Sequence, residues 1–197
     1  MILRRARSKM PTLALVAACL ATTAVATAHV PDDRYGAAQQ TFPHPTADGA
    51  ASDSWCAAHI ARGELLQALF DCDHAVAENP ENVKALSNRG SLFLWTKDAA
   101  KALSDFEAAL RLNPNDPTLH YNRGLAMASL GRHADAIADY SEAIRLRPNM
   151  AIAHHNRGYE RELLGQREQA VQDYRRALEL HPELKPSSEG IKRLLGK

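Results

Sequence analysis

The triplet Asn-Arg-Gly occurs as Asn88-Arg89-Gly90, Asn122-Arg123-Gly124 and Asn156-Arg157-Gly158, at a spacing of 34 residues. Ala102, Ala136 and Ala170 keep the same beat, as do Phe106, Tyr140 and Tyr174, then Ala109, Ala143 and Ala177, and finally Pro114, Pro148 and Pro182. A fixed period of this length means stacked supersecondary units that share their apolar faces, rather than one globular core.

Each period is read as two helices. The first begins at Val83, Pro117 or Ala151, beside Asn82, Asp116 or Asn149, whose side-chain oxygens suit the orphan N–H groups of a helix start. Proline fits the first helical position because no N–H is needed there. These helices are expected to stop near Lys97, Gly131 and Gly165. Glycine allows the left-handed backbone that ends a helix. The second helix runs to Leu112, Leu146 or Leu180, and a proline follows that cannot continue it. Gly90, Gly124 and Gly158 fall midway along the first helices and face the small alanines of the second. Small residues let two helices approach closely. The aromatic residues then fill the larger gaps toward the next repeat.

The Gly, Ala, aromatic, Ala and Pro positions together resemble the tetratricopeptide repeat family. Arg89, Arg123 and Arg157 depart from it, standing where the family more often has Leu; Lys97 replaces the turn glycine of its repeat. The resemblance implies an all-α, right-handed α-solenoid of helix-turn-helix repeats. The repeats are placed at 83–116, 117–150 and 151–184. A degenerate repeat is placed at 51–82, with helical periodicity from about Ser52, and a capping helix at 185–197. In the cap, Pro186 and Ser187 start the helix. Ile191, Leu194 and Leu195 give its apolar side, and Lys192 and Arg193 its wet side.

In the degenerate repeat, Ala68, Ala75 and Pro80 fall on the repeating positions and Gly63 on the turn. Cys56 takes the glycine position and Cys72 the aromatic one, so both face the gap between the paired helices. A Cys56–Cys72 disulfide is expected; the alternative is two buried free thiols. A loop of this size is worth about 3 kcal/mol in the chain-entropy model.

The first nine residues carry Arg4, Arg5, Arg7 and Lys9 without an acid, and an apolar run from Leu13 to Ala28 follows. That is the pattern of a secretory signal, with cleavage expected after Ala28. A competing reading takes Val16-Ala17-Ala18-Cys19 as a lipobox, which would anchor the protein to a membrane through Cys19. Either reading exports the chain, to the periplasm or as an envelope lipoprotein. Residues 29–50, with three prolines and two glycines, are read as a flexible linker. Without residues 1–28, 20 of the 24 basic residues remain against 23 acidic ones. So slight an imbalance gives no reason to expect nucleic acid.

In this family the first helices line the concave side, which implies a protein or peptide partner there. The inward positions are Asn88, Asn122 and Asn156, beside Ser87, Tyr121 and His155. Lys84, Thr118 and Ile152 lie one turn earlier, and Ser91, Leu125 and Tyr159 three residues later. An Asn amide both donates and accepts. Three in register could hold the backbone of an extended peptide, as does the asparagine ladder in the repeat domain of the O-linked N-acetylglucosamine transferase. Alternatively, these amides bond neighbouring helices. Lys84 and Asn122 also fit part of a chaperone-tail carboxylate clamp, but Ile152 and Asn156 stand where its later basic residues belong. Arg89, Arg123 and Arg157 recur with Asp105, Asp139 and Asp173, which argues for structural ion pairs rather than an anion track. Trp95 is read equally as a concave anchor or as core.

His120, His154 and His155 form no metal-binding spacing, and no nucleophile elbow, phosphate loop or dinucleotide fingerprint occurs. No enzyme activity, cofactor or metal is therefore expected. Self-association through the open ends of the stack is the second functional reading.

Overall fold

The structure, a computed structural model, describes residues 49–196. The expected signal segment, its cleavage site, the Cys19 alternative and nearly all of the linker lie outside them. Nine helices make up the described residues: α1 Gly49–Arg62, α2 Leu65–Glu78, α3 Val83–Trp95, α4 Ala99–Leu112, α5 Pro117–Ser129, α6 His133–Leu146, α7 Ala151–Leu163, α8 Arg167–Leu180 and α9 Lys185–Leu195. They pair as α1/α2, α3/α4, α5/α6 and α7/α8, each pair packs on the next, and α9 packs on α8. The stack is an all-α solenoid. α1 starts at Gly49, inside the stretch read as linker and ahead of Ser52.

Local chemistry explains most boundaries. The Asn82 side chain accepts from the N–H groups of Lys84 and Ala85, and Asp116 from those of Thr118 and Leu119. The third cap departs from expectation: Met150, not Asn149, occupies the cap position of α7, with no side-chain bond. Gly63, Gly131 and Gly165 end the first helices at φ between +73° and +74°. Lys97 does the same job at φ +66°, a conformation that costs a residue with a Cβ.

The mid-helix glycines mark the closest approaches. A Cβ on Gly90 would lie 2.9 Å from the Phe106 ring, and one on Gly124 would lie 2.8 Å from the Tyr140 ring. On Gly158 it would lie 3.0 Å from the Asp173 Cβ and 3.1 Å from the Tyr174 ring. The aromatic residue thus sits on the glycine of its own repeat. It also reaches onward: the far edge of the Tyr174 ring fills the space beside Gly190 in α9. That cap packs through Ser187 and Gly190, with Ile191 and Leu194 half-buried. Leu195, expected on the apolar side, is exposed.

In the N-terminal pair, the Cys56 and Cys72 sulfurs are bonded, with Cα atoms 5.0 Å apart, and both residues are buried. They share a small cluster with Ala68 and Leu92, so the bridge sits where the Gly–aromatic contact lies in the other repeats.

Candidate binding face

The arrangement of the stack sets which surface is inner. α1 touches α3, α3 touches α5 and α7 touches α9, each across an intervening second helix. No two second helices make a comparable contact among the described residues. First helices therefore crowd on the inner side of the curve, and second helices fan out on the outer side.

Ion pairs brace this frame. Arg89, Arg123 and Arg157 each give a two-pronged bond through Nε and Nη2 to Asp105, Asp139 and Asp173, at 2.6–3.0 Å. In two of the three the third nitrogen looks back to the preceding repeat: Arg89 Nη1 donates to Asp73, and Arg157 Nη1 to the Ser141 hydroxyl, both at 3.1 Å. The aspartates are buried, which rules out an open anion track. Two related pairs escaped the sequence reading. His59 meets Asp71 at 2.5 Å and Arg161 meets Asp173 at 2.8 Å. Asp71 keeps the aspartate beat; its Arg partner is replaced by Trp55, and His59, one turn on, takes the role.

The expected inner-face residues separate into two groups. Tyr121 and His155 are buried rather than displayed. The Tyr121 ring packs on Tyr140 at 5.7 Å, and the His155 ring on Tyr174 at 5.4 Å. His155 Nδ1 lies 2.8 Å from the Ser187 hydroxyl of the cap. Burial, reinforced by the nearby Arg193 charge, holds this imidazole down at about 4. Asn156 is engaged inside the stack: its Nδ2 donates to the Tyr121 hydroxyl at 3.0 Å. Tyr159 is half-buried. On the same side Glu162 pairs with Arg193 of α9 at 2.7 and 2.8 Å and accepts from the Tyr174 hydroxyl. Burial favours the neutral acid of Glu162, but these bonds outweigh it and keep the carboxyl below its ordinary range.

α3 and α5 differ. Lys84 is exposed and pairs with no carboxylate among the described residues. Asn88 is half-buried and its amide bonds nothing there. Asn122 is only 8% exposed, and its amide likewise has no partner among the described residues. Its amide atoms are not fully enclosed and still reach solvent. Trp95 is 40% exposed, which removes it from the core. His120 and His154 are held in the frame, each with Nε2 on the carbonyl of Pro114 or Pro148 and Nδ1 toward Asp139 or Asp173, at 3.5 and 3.8 Å. No cluster of potential metal ligands occurs among the described residues.

Sequence models described as tetratricopeptide repeat match residues 58–117, 96–151 and 151–184. The chain belongs to the tetratricopeptide repeat family. Solved structures agree. The Arabidopsis OM64 TPR domain is 29% identical, with a TM-score of 0.57, over 58% of this chain and 94% of that one. The first TPR of Spaghetti bound to the HSP90 peptide SRMEEVD is 25% identical, with a TM-score of 0.57, over 58% and 90%. MamA residues 41 to the end, from Desulfovibrio magneticus RS-1, superimposes with a TM-score of 0.65 at 21% identity, over 70% and 77%, a likeness of fold. No curated protein matches the sequence. Tetratricopeptide repeats are protein-interaction modules, and the chain shares that fold.

Proposed function

We propose that this protein is a non-catalytic adaptor of the bacterial cell envelope that holds an extended segment or helix of a protein partner on the inner face of its repeat stack. The observation that carries this is the pair of repeat-related amides, Asn88 and Asn122, that no side chain among the described residues uses. Unsatisfied amides near a surface are ready to bond a peptide backbone. The envelope assignment rests on the basic, then apolar, start of the sequence. The peptide held by the Spaghetti repeat supports the mode of binding.

The test is capture from a native envelope extract by the immobilised protein, against a folded variant with Asn88, Asn122 and Asn156 all changed to Ala. A discrete partner lost by the variant supports the reading. Equal capture by both proteins refutes inner-face binding.

A second reading, a self-associating assembly protein using its outer faces, has one specific observation in its favour. Leu66 and Phe70 of α2 are 70% and 56% exposed, where the later repeats carry Ala100 and Ser104, Ala134 and Ala138, and Glu168 and Gln172. Sedimentation that strengthens with concentration and is abolished by Leu66→Glu would favour it.

A further inference from the structure

Resting on the inner-face reading, the geometry points to binding confined to α3 and α5, and to a ligand that is an extended peptide bearing an acidic and an apolar side chain. The three asparagines share one repeat position but not one state. Asn156 spends its amide N–H on the Tyr121 hydroxyl. The next inner position on α7 is closed as well, because His155 is covered by Ser187 of α9. Further along, Glu162 is tied to Arg193 and Tyr174. The polar groups of the C-terminal half of the inner face are therefore spent within the chain, which leaves Ile152, Tyr159 and Leu163 as its accessible, mostly apolar surface.

The N-terminal half keeps its groups available. Asn122 is the strongest sign: a side chain more than nine-tenths buried, polar, and without a partner among the described residues. Because it still reaches solvent, this amide exchanges a bond to water for one to a peptide backbone when a ligand completes the site. On α3, Lys84, Asn88, Ser91 and Trp95 follow at i, i+4, i+7 and i+11, along one helix face. Ser91 turns back to the Ser87 carbonyl, leaving Lys84, Asn88 and Trp95 to face outward. At 1.5 Å per residue this stripe is about 16 Å long, the span of roughly five extended residues. An ammonium with no carboxylate partner among the described residues stands at one end, an exposed indole at the other and amides between them. The complementary segment carries a carboxylate for Lys84 and an apolar side chain for Trp95, and offers its backbone to Asn88 and Asn122.

The test uses the full chain and a random library of acetylated, amidated heptapeptides, so that no terminal charge contributes. Enriched peptides should carry Asp or Glu and an apolar residue; Lys84→Glu should abolish the acidic preference. For the best peptide, followed by fluorescence anisotropy, Asn88→Ala and Asn122→Ala should each weaken binding about tenfold. Asn156→Ala, measured well below its melting temperature, should lower stability yet leave the affinity within about twofold. Equal weakening by all three changes would overturn the confinement to α3 and α5 while leaving inner-face binding intact. An unchanged affinity in all three, or a library from which nothing is retained, would overturn both.

Discussion

At the scale of single residues, the backbone of Lys97 and the ring of His155 each make a stability prediction. Lys97 sits at φ +66° where the other repeats have glycine. Changing Lys97→Gly relieves a left-handed strain but adds unfolded-state entropy, for a net gain of roughly 0.5–1 kcal/mol. A higher urea midpoint at constant slope checks this. Gly124→Ala works the other way. Its new methyl would lie 2.8 Å from the Tyr140 ring, so overpacking outweighs the helix-propensity gain and costs about 1–2 kcal/mol. His155 links stability to pH. Its folded ring gains a proton near 4, the unfolded ring near 6.5. Between those values the unfolded state binds more protons, so stability is complete above 6.5 and is lost as pH falls toward 4. The loss is up to about 3 kcal/mol. Urea titrations at pH 7 and pH 4.5 should show a smaller difference in His155→Gln than in the parent; identical differences would refute this role.

At the scale of helices and pairs of helices, the repeated arginine bracket is the principal brace. Asp139 has a side chain 6% exposed, while that of Arg123 is 25% exposed. Removing the arginine leaves a buried carboxylate with only His120 Nδ1, 3.5 Å away, beside it; removing the aspartate leaves a guanidinium that can turn to water. Arg123→Ala should therefore cost about 3 kcal/mol and Asp139→Ala distinctly less, by denaturant unfolding of both variants. The helix boundaries were largely legible in the sequence, because caps, turn glycines and closing prolines act locally. Met150 shows the limit: Asn149 has the right chemistry for a cap but stands one residue too early. The ion pairs of the three clear repeats were legible too, since Arg and Asp recur together. His59–Asp71 was hidden, because a different residue one turn away takes the cation's place. The fate of Tyr121 and His155 was not legible either. They share a repeat position with the half-buried Ser87, and only the neighbouring Tyr140 and the cap close over them.

At the scale of the whole molecule, the solenoid is uneven from end to end. Its N-terminal pair lacks the glycine–aromatic contact and holds together through Cys56–Cys72. A 16-residue separation corresponds to about 3 kcal/mol in the chain-entropy model. Reduction should speed hydrogen exchange in residues 55–78 and leave 117–180 unchanged, because each repeat rests only on its neighbours. The inner face is uneven in the same sense, with amides consumed at the C-terminal end and available toward the N-terminal one. The most direct test of this account is a nitrogen-15 NMR titration of the asparagine side-chain amides with the peptide selected from the library. The Nδ2 resonances of Asn88 and Asn122 should shift and saturate together while that of Asn156 stays fixed. A shift of all three alike, or of none, would contradict it.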